Sequence, residues 1–273
     1  RDRGHSPRES PVLHEVRVAY ARLSHISARM TDDDIYQSED GSEPFRFNEN
    51  VARVFPDMLR RSIPGYAASL EAIGSLAARC VRAGTNCYDL GCSLGAATLA
   101  MRHGIQQPCC RVVAIDSSPA MIERCREVIA EDDRQNGPET QVDIAEQDIR
   151  DVDFHNASMV VLNYTLQFIE PADRNALLTR IYNGMNDGGL LVLSEKVVDE
   201  DAHMEALLVD LHEEHKRRNH YSALEVARKR AALENVLLPE TVAAHRERLQ
   251  RTGFSSTAVW LRYFNFVSIV AMR

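Results

Sequence analysis

Tyr88-Asp89-Leu90-Gly91-Cys92-Ser93-Leu94-Gly95-Ala96-Ala97 decides how the rest of the chain is read. An apolar run ends in an acid and a glycine turn, and small residues then open a helix. Gly91 lets the backbone turn sharply out of a strand and leaves room for a ligand against the main chain, while the helix that follows presents free N–H groups. A dinucleotide site would want glycine at positions 91, 93 and 96, but Ser93 and Ala96 stand there. Asp89 would also set a carboxylate where a pyrophosphate approaches. The carboxylate suits a cation better. A tight strand–helix turn that holds nothing is the plainer alternative.

Outward from this turn, the pattern alternates strand and helix. Asn86–Leu90, Arg111–Ile115, Val142–Glu146, Ser158–Leu162 and Leu190–Leu193 read as short strands. Helices are expected over Ala96–His103, Pro119–Ala130 and Pro171–Met185, preceded by two leading helices over Phe45–Arg61 and Tyr66–Arg82 that Pro64 and Gly65 separate. Parallel strands need helical crossovers, so the alternation implies a parallel sheet covered on both faces. From Val197 to Gln250 the pattern is helical with no strand signal, and Thr257–Arg262 and Phe266–Met272 then close the chain as an antiparallel hairpin. The expected fold class is α/β: a doubly wound, mostly parallel seven-stranded sheet with an antiparallel C-terminal hairpin and a helical insertion at about 197–250. Such an ending resembles the class I S-adenosylmethionine-dependent methyltransferase fold.

The strand ends carry further polar residues. Asp116 closes the second strand, where an acid can accept hydrogen bonds from both ribose hydroxyls; it also precedes Ser117-Ser118-Pro119, so a helix-capping role is the alternative. Asp148 and Ile149 follow the third strand, where such folds pair an acid with the adenine amine and lay an aliphatic side chain on the ring. Asn163 ends the fourth. S-adenosylmethionine, with a sulfonium and an ammonium and no phosphate, matches the acid at the end of the first strand.

Composition bounds the rest. The chain has 273 residues, with 32 Lys+Arg against 40 Asp+Glu and a formal net charge of −8, which speaks against a diffuse grip on nucleic acid or anionic lipid. No apolar run approaches the ~20 residues of a bilayer crossing. Cys80, Cys87, Cys92, Cys109, Cys110 and Cys125 form no CxxC pair and no framework spacing, as expected of reduced thiols in a cytoplasmic protein. The segment before Met30 has six arginines against Asp2, Glu9 and Glu15 and no signal-peptide block, and Asp32–Glu43 is acidic and too polar to pack. Residues 1–44 are therefore expected to be disordered or extraneous, and 45–273 to form a single Rossmann-like domain.

Longer stretches identify a family. Val54-Phe55-Pro56-Asp57-Met58, Ser62-Ile63-Pro64-Gly65-Tyr66, Tyr88–Leu99, Asp116-Ser117-Ser118-Pro119-Ala120-Met121, Val160–Phe168, Leu193-Ser194-Glu195-Lys196 and Leu233-Glu234-Asn235-Val236 closely resemble the carboxy-S-adenosyl-L-methionine synthase family. The resemblance runs from about Asp32 to the C-terminus and takes in the leading helices and the insertion. It implies that prephenate supplies a carboxyl group to the methyl carbon of S-adenosylmethionine, giving carboxy-S-adenosylmethionine and phenylpyruvate, with a sulfonium ylide as nucleophile and water as a further participant. It also implies that the product passes to a partner enzyme that builds an oxyacetyl group on the wobble uridine of tRNA, so this chain need not touch RNA. Residue by residue, the resemblance assigns the nucleoside contacts to Tyr66, Gly91, Cys92, Ser93, Asp116, Ser117, Asp148, Ile149 and Asn163, with Ser117 where relatives can have asparagine.

Arg230 matches the arginine with which that family holds the added carboxylate. A guanidinium pairs a carboxylate through two parallel hydrogen bonds, and a methyl group offers it nothing. The bland alternative is that Lys216-Arg217-Arg218 and Arg228-Lys229-Arg230 are solvated helix faces; the cluster could also concentrate the dianionic prephenate. His203, His212, His215 and His220 lack metal-ligand spacing, and no metal is assigned. Cys92 reads as a packing residue, and no side chain stands out as a general base. Leu207, Leu208, Leu211, Leu224, Leu233, Val236 and Leu237 exceed what a lone lid would bury, so a homodimer is expected. An ordinary small-molecule methyltransferase and a nucleoside-binding protein without turnover are the competing readings.

Overall fold

The computed structural model describes residues 33–35, 45–137, 140–233 and 236–273. Seven strands form one sheet in the order β3-β2-β1-β4-β5-β7-β6. They are β1 (Asn86–Leu90), β2 (Arg111–Asp116), β3 (Gln141–Glu146), β4 (Ala157–Asn163), β5 (Met185–Lys196), β6 (Ser256–Tyr263) and β7 (Phe266–Met272). The first five run parallel and β7 is antiparallel to both neighbours, as the chain-end pattern predicts. Helices α1 (Glu49–Ser62), α2 (Tyr66–Cys80), α3 (Ala96–Gly104), α4 (Pro119–Asn136) and α5 (Pro171–Gly184) lead into and connect the parallel strands.

Both faces of the sheet are covered, which is why its strands are apolar throughout rather than alternating. Leu162, Leu177, Ile181, Leu193 and Leu249 pack on one face, and Leu70, Ile73, Met101, Val112 and Val161 on the other. Gly104 lets α2 and α3 touch: a Cβ there would lie 2.1 Å from the Gly74 carbonyl oxygen.

Several boundaries differ from expectation for local reasons. The Asn48 side chain accepts from the Val51 N–H, so α1 starts at Glu49 and not at Phe45. Helix α4 runs past Ala130 to Asn136, held by the Arg102 guanidinium on Asp132 and by Asn136 on Asp132, and stops before Gly137. Strand β5 begins at Met185, which pairs with Ala157 across an irregularity in the register.

The insertion divides in two. Helices α6 (Ala202–Arg218) and α7 (Ala223–Leu233) lie over the carboxyl ends of the strands, whereas α8 (Val242–Thr252) buries Leu249 in the sheet core. Arg174, fully buried on α5, anchors the segment between the two parts by pairing with Glu240 at 2.5 Å and donating to the Leu238 carbonyl at 2.7 Å.

Asp33 corrects the expectation for the acidic stretch. It is 1% exposed; its N–H donates to Asp57 at 2.9 Å, and its carboxylate accepts from the Tyr221 hydroxyl and from Lys229 at 3.2 Å. Hydropathy missed it because its partners are far away in sequence. Asp34 pairs with Arg53 at 3.0 Å and Ile35 packs against the Val51–Phe55 cluster; the rest of 1–44 lies outside the described residues.

Candidate functional site

A cleft of about 2100 Å³ opens where the strand order reverses between β1 and β4, with α1, α6 and α7 as its roof. All ten residues singled out in the sequence line it: Tyr66, Gly91, Cys92, Ser93, Asp116, Ser117, Asp148, Ile149, Asn163 and Arg230.

The β1–α3 turn is built for close approach. Gly91 has φ +73°, and a Cβ on it would lie 2.4 Å from Thr165 Cγ2. The N–H groups of Gly91 and Cys92 both donate to the Ile115 carbonyl, at 2.8 and 2.9 Å, tying the turn to β2. Ser93 also takes a positive φ, and its N–H donates to Asp116 at 2.9 Å. The other Asp116 oxygen accepts from the Ser118 N–H at 2.9 Å. Each carboxylate oxygen keeps a second lone pair for a ligand hydroxyl. Asp116 thus braces two loops at once, while Ser118 itself caps α4. Burial raises the Asp116 carboxyl above its usual range, and the backbone N–H groups partly offset that.

Asp89, 1% exposed, lies at the floor of the cleft and accepts from the Thr98 hydroxyl at 2.6 Å. Burial pushes it up to about 6, against the pull of the Thr98 hydrogen bonds. A cation arriving beside it would favour the ionised form. Asn163 presents a buried Oδ1 with no partner among the described residues. Such an orphaned acceptor calls for a ligand N–H or O–H, and with Asp89 and Asp116 it makes a wall of acceptors that suits the ammonium, sulfonium and hydroxyls of S-adenosylmethionine.

Asp148 is engaged by its own neighbour: Arg150 donates to both oxygens, with Nη2 at 2.7 Å, and this bonding outweighs burial to hold the carboxyl low. Ile149 is buried beside it and Ser117 is exposed. The Cys92 thiol is pushed well up by the Cys125 thiol against it and by burial, which removes it as a nucleophile. His212 is a packing residue, its Nε2 donating to the Ser62 carbonyl at 2.9 Å and its ring 4.8 Å from that of Phe266. Of the residues expected at an interface, Leu233, Val236 and Leu237 line the cleft, and Leu207 and Leu224 are exposed.

Sequence reasoning assigned no role to two side chains of this cleft, Thr165, which fills the space a Cβ on Gly91 would take, and Lys196; Lys216, which lines it beside Arg230, entered only as part of a basic cluster. Lys216 sat in a charged run that read either as a solvated face or as a cluster drawing in prephenate, and its burial, 8% exposed, marks it out from the rest of the run.

Residues 88–189 match the family model for a methyltransferase domain. The carboxy-S-adenosyl-L-methionine synthase of Aliivibrio fischeri is 53% identical over 229 residues, 84% of this chain and 93% of that protein. Its namesake from Escherichia coli is 54% identical over 227 residues, 83% and 90% of the two. Among solved structures, an O-methyltransferase family protein from Burkholderia thailandensis superimposes with a TM-score of 0.60 at 15% identity, covering 96% of this chain and 71% of that one. An S-adenosyl-L-methionine-dependent methyltransferase, so described as putative, from Methanococcus maripaludis gives 0.54 at 20% identity, covering 85% and 95%. The structural likenesses establish the fold.

Proposed function

This chain belongs to the carboxy-S-adenosyl-L-methionine synthase family, and from that premise we propose that prephenate is its carboxyl donor and phenylpyruvate its second product. The enzyme is a transferase that takes S-adenosylmethionine to carboxy-S-adenosylmethionine. The atoms balance: prephenate loses a carboxyl and a hydroxyl and becomes aromatic, the methyl carbon exchanges a proton for the carboxyl, and proton and hydroxide leave as water.

Within this reading Asp116 holds the ribose, Asp148 and Ile149 hold the adenine, and Asn163 and Asp89 face the polar and cationic parts of the nucleoside, with Tyr66, Gly91, Cys92, Ser93 and Ser117 completing its contacts. The observation that carries it is Arg230. Its side chain is 70% exposed, lines the cleft and, among the described residues, pairs only with Glu213, at 3.2 Å. So exposed a pair is worth about 0–1 kcal/mol, and a ligand carboxylate bound in two-pronged fashion outcompetes it. An ordinary methyltransferase would have no use for that guanidinium.

The test is to supply S-adenosylmethionine with and without prephenate and to weigh the nucleoside and assay phenylpyruvate. A nucleoside heavier by CO2, formed together with phenylpyruvate only when prephenate is present, is the expected result. In Arg230→Met the preference for carboxylated over methylated nucleoside should collapse; folded wild-type protein that makes no phenylpyruvate overturns the reading.

The homodimer expectation is supported by Met204 and Leu207 on α6 and Leu224 on α7, which are 46, 49 and 57% exposed. A cytoplasmic setting suits the six free cysteines. Among the described residues no helix is long and apolar enough to cross a membrane. The product would pass to the enzyme that completes the tRNA wobble uridine, with no RNA contact asked of a chain of net charge −8.

A further inference from the structure

The cations of the cleft are almost all spoken for. Its arginines each hold a carboxylate, as Arg60 holds Asp57, Arg150 holds Asp148 and Arg230 holds Glu213, and Lys229 holds Asp33. Lys196 and Lys216 differ: both line the cleft, and neither ammonium has a hydrogen bond or ion pair among the described residues. The acids within electrostatic reach are already engaged. Glu213 binds Arg230 and Arg217, and Glu205 accepts from the Asp199 N–H.

The two lysines come from different elements and meet through packing. Lys196 ends β5 and is directly opposite Phe266 on β7. His212 lies against that ring, and Lys216 is one turn further along the same face of α6. Arg230 and Lys229 approach from α7. Lys216 is only 8% exposed, and a buried cation without an acid is costly unless an anion arrives.

We propose that Lys196 and Lys216 form a subsite for the carboxylate that the donor keeps, the one still present in the keto-acid product, while Arg230 takes the carboxylate that is transferred. This assignment rests on the donor proposed above and adds which residues distinguish its two acid groups. The electrostatics agree: burial, and then Lys196, push the Lys216 ammonium down to about 7, and burial lowers Lys196 as well. A bound carboxylate would return both to full charge.

The test titrates phenylpyruvate into the full-length protein loaded with S-adenosylmethionine and measures the prephenate dependence of turnover. Lys196→Met, Lys216→Met, Lys216→Arg and Arg230→Met are compared with wild type. Losing a charge-assisted bond should weaken phenylpyruvate binding and raise the KM for prephenate roughly 10- to 100-fold in each Lys→Met variant. Lys216→Arg should retain most of the affinity, Arg230→Met should bind phenylpyruvate nearly as wild type does, and S-adenosylmethionine binding should change little. Because an unpaired buried cation is removed, Lys216→Met should melt no lower than wild type, which separates loss of a ligand from loss of structure.

Lysine variants that bind phenylpyruvate as wild type does, or that lose S-adenosylmethionine equally, overturn the subsite; so does wild-type protein that binds no phenylpyruvate. If wild type turns over while the lysine variants bind normally, the subsite falls and the reaction stands. If binding depends on the lysines but no carboxylated nucleoside forms, the reaction falls and the subsite stands.

Discussion

Replacing Gly91 by alanine tests whether the β1–α3 turn is held by close packing or only by its hydrogen bonds to β2. Two costs can be worked from the structure. At φ +73° an alanine pays about 1–2 kcal/mol for left-handed backbone. Its Cβ would also sit 2.4 Å from Thr165 Cγ2 and 2.6 Å from Oγ1, which something must relieve; overpacking of that kind costs about 1–3 kcal/mol. The expected loss is the sum, about 2–5 kcal/mol. Urea unfolding of Gly91→Ala, Thr165→Ala and the double variant separates the parts. Thr165→Ala removes the two closest atoms and leaves Cβ at 3.1 Å, so the double variant should regain the packing cost and keep the backbone cost. The affinity for S-adenosylmethionine, read by titration, should follow the same order because the turn forms the cleft wall. A single variant within about 0.5 kcal/mol of wild type, or a double variant restored completely, would refute the reasoning.

Asp89 gives a pH signature. Its carboxyl is raised to about 6 in the fold, so its contribution to stability is fully present below the unfolded value near 4 and is lost as pH rises through 6. Affinity for the cationic nucleoside should run the other way, falling as the pH drops through about 6; Asp89→Asn should flatten both profiles, and an unchanged binding profile would exclude the role. Arg102, which does not itself line the cleft, pairs with Asp132 at 2.9 Å and with Asp133, its side chain 3% exposed. Arg102→Ala leaves Asp132 buried with less compensation and should cost about 3–5 kcal/mol of stability in denaturant melts, while kcat and KM of the folded fraction stay as in wild type.

The sheet was legible because its information is local. Apolar runs, crossover lengths and the glycine turn each lie within one window, and the strand-end acids follow from them. What escaped depends on distance. Asp33 meets Tyr221 and Lys229 across separations of 188 and 196 residues, so composition averaged over the acidic stretch concealed one residue with partners. Lys216 looked like any lysine in a charged run, since neither its burial nor the absence of an ion pair to it among the described residues is written in spacing. Asp148 was legible as a position but not in its state, because Arg150 two residues on holds both carboxylate oxygens. Strand β5 is longer than its apolar stretch because the Ala157 and Met185 pair is set by backbone register, not by hydropathy.

The Asp33 clasp also bears on how the protein can be trimmed. Hydropathy suggests cutting at residue 45, yet that cut would remove the Asp33 carboxylate from Lys229, which is 4% exposed and also donates to the Ser62 and Tyr221 hydroxyls. Loss of that ion pair would loosen the hold on α7, and Arg230 is the next residue along the same helix. A shortened protein of this kind would keep its sheet and its nucleoside turn while losing discrimination at the far end of the ligand, a defect easily mistaken for damage to the binding residues themselves.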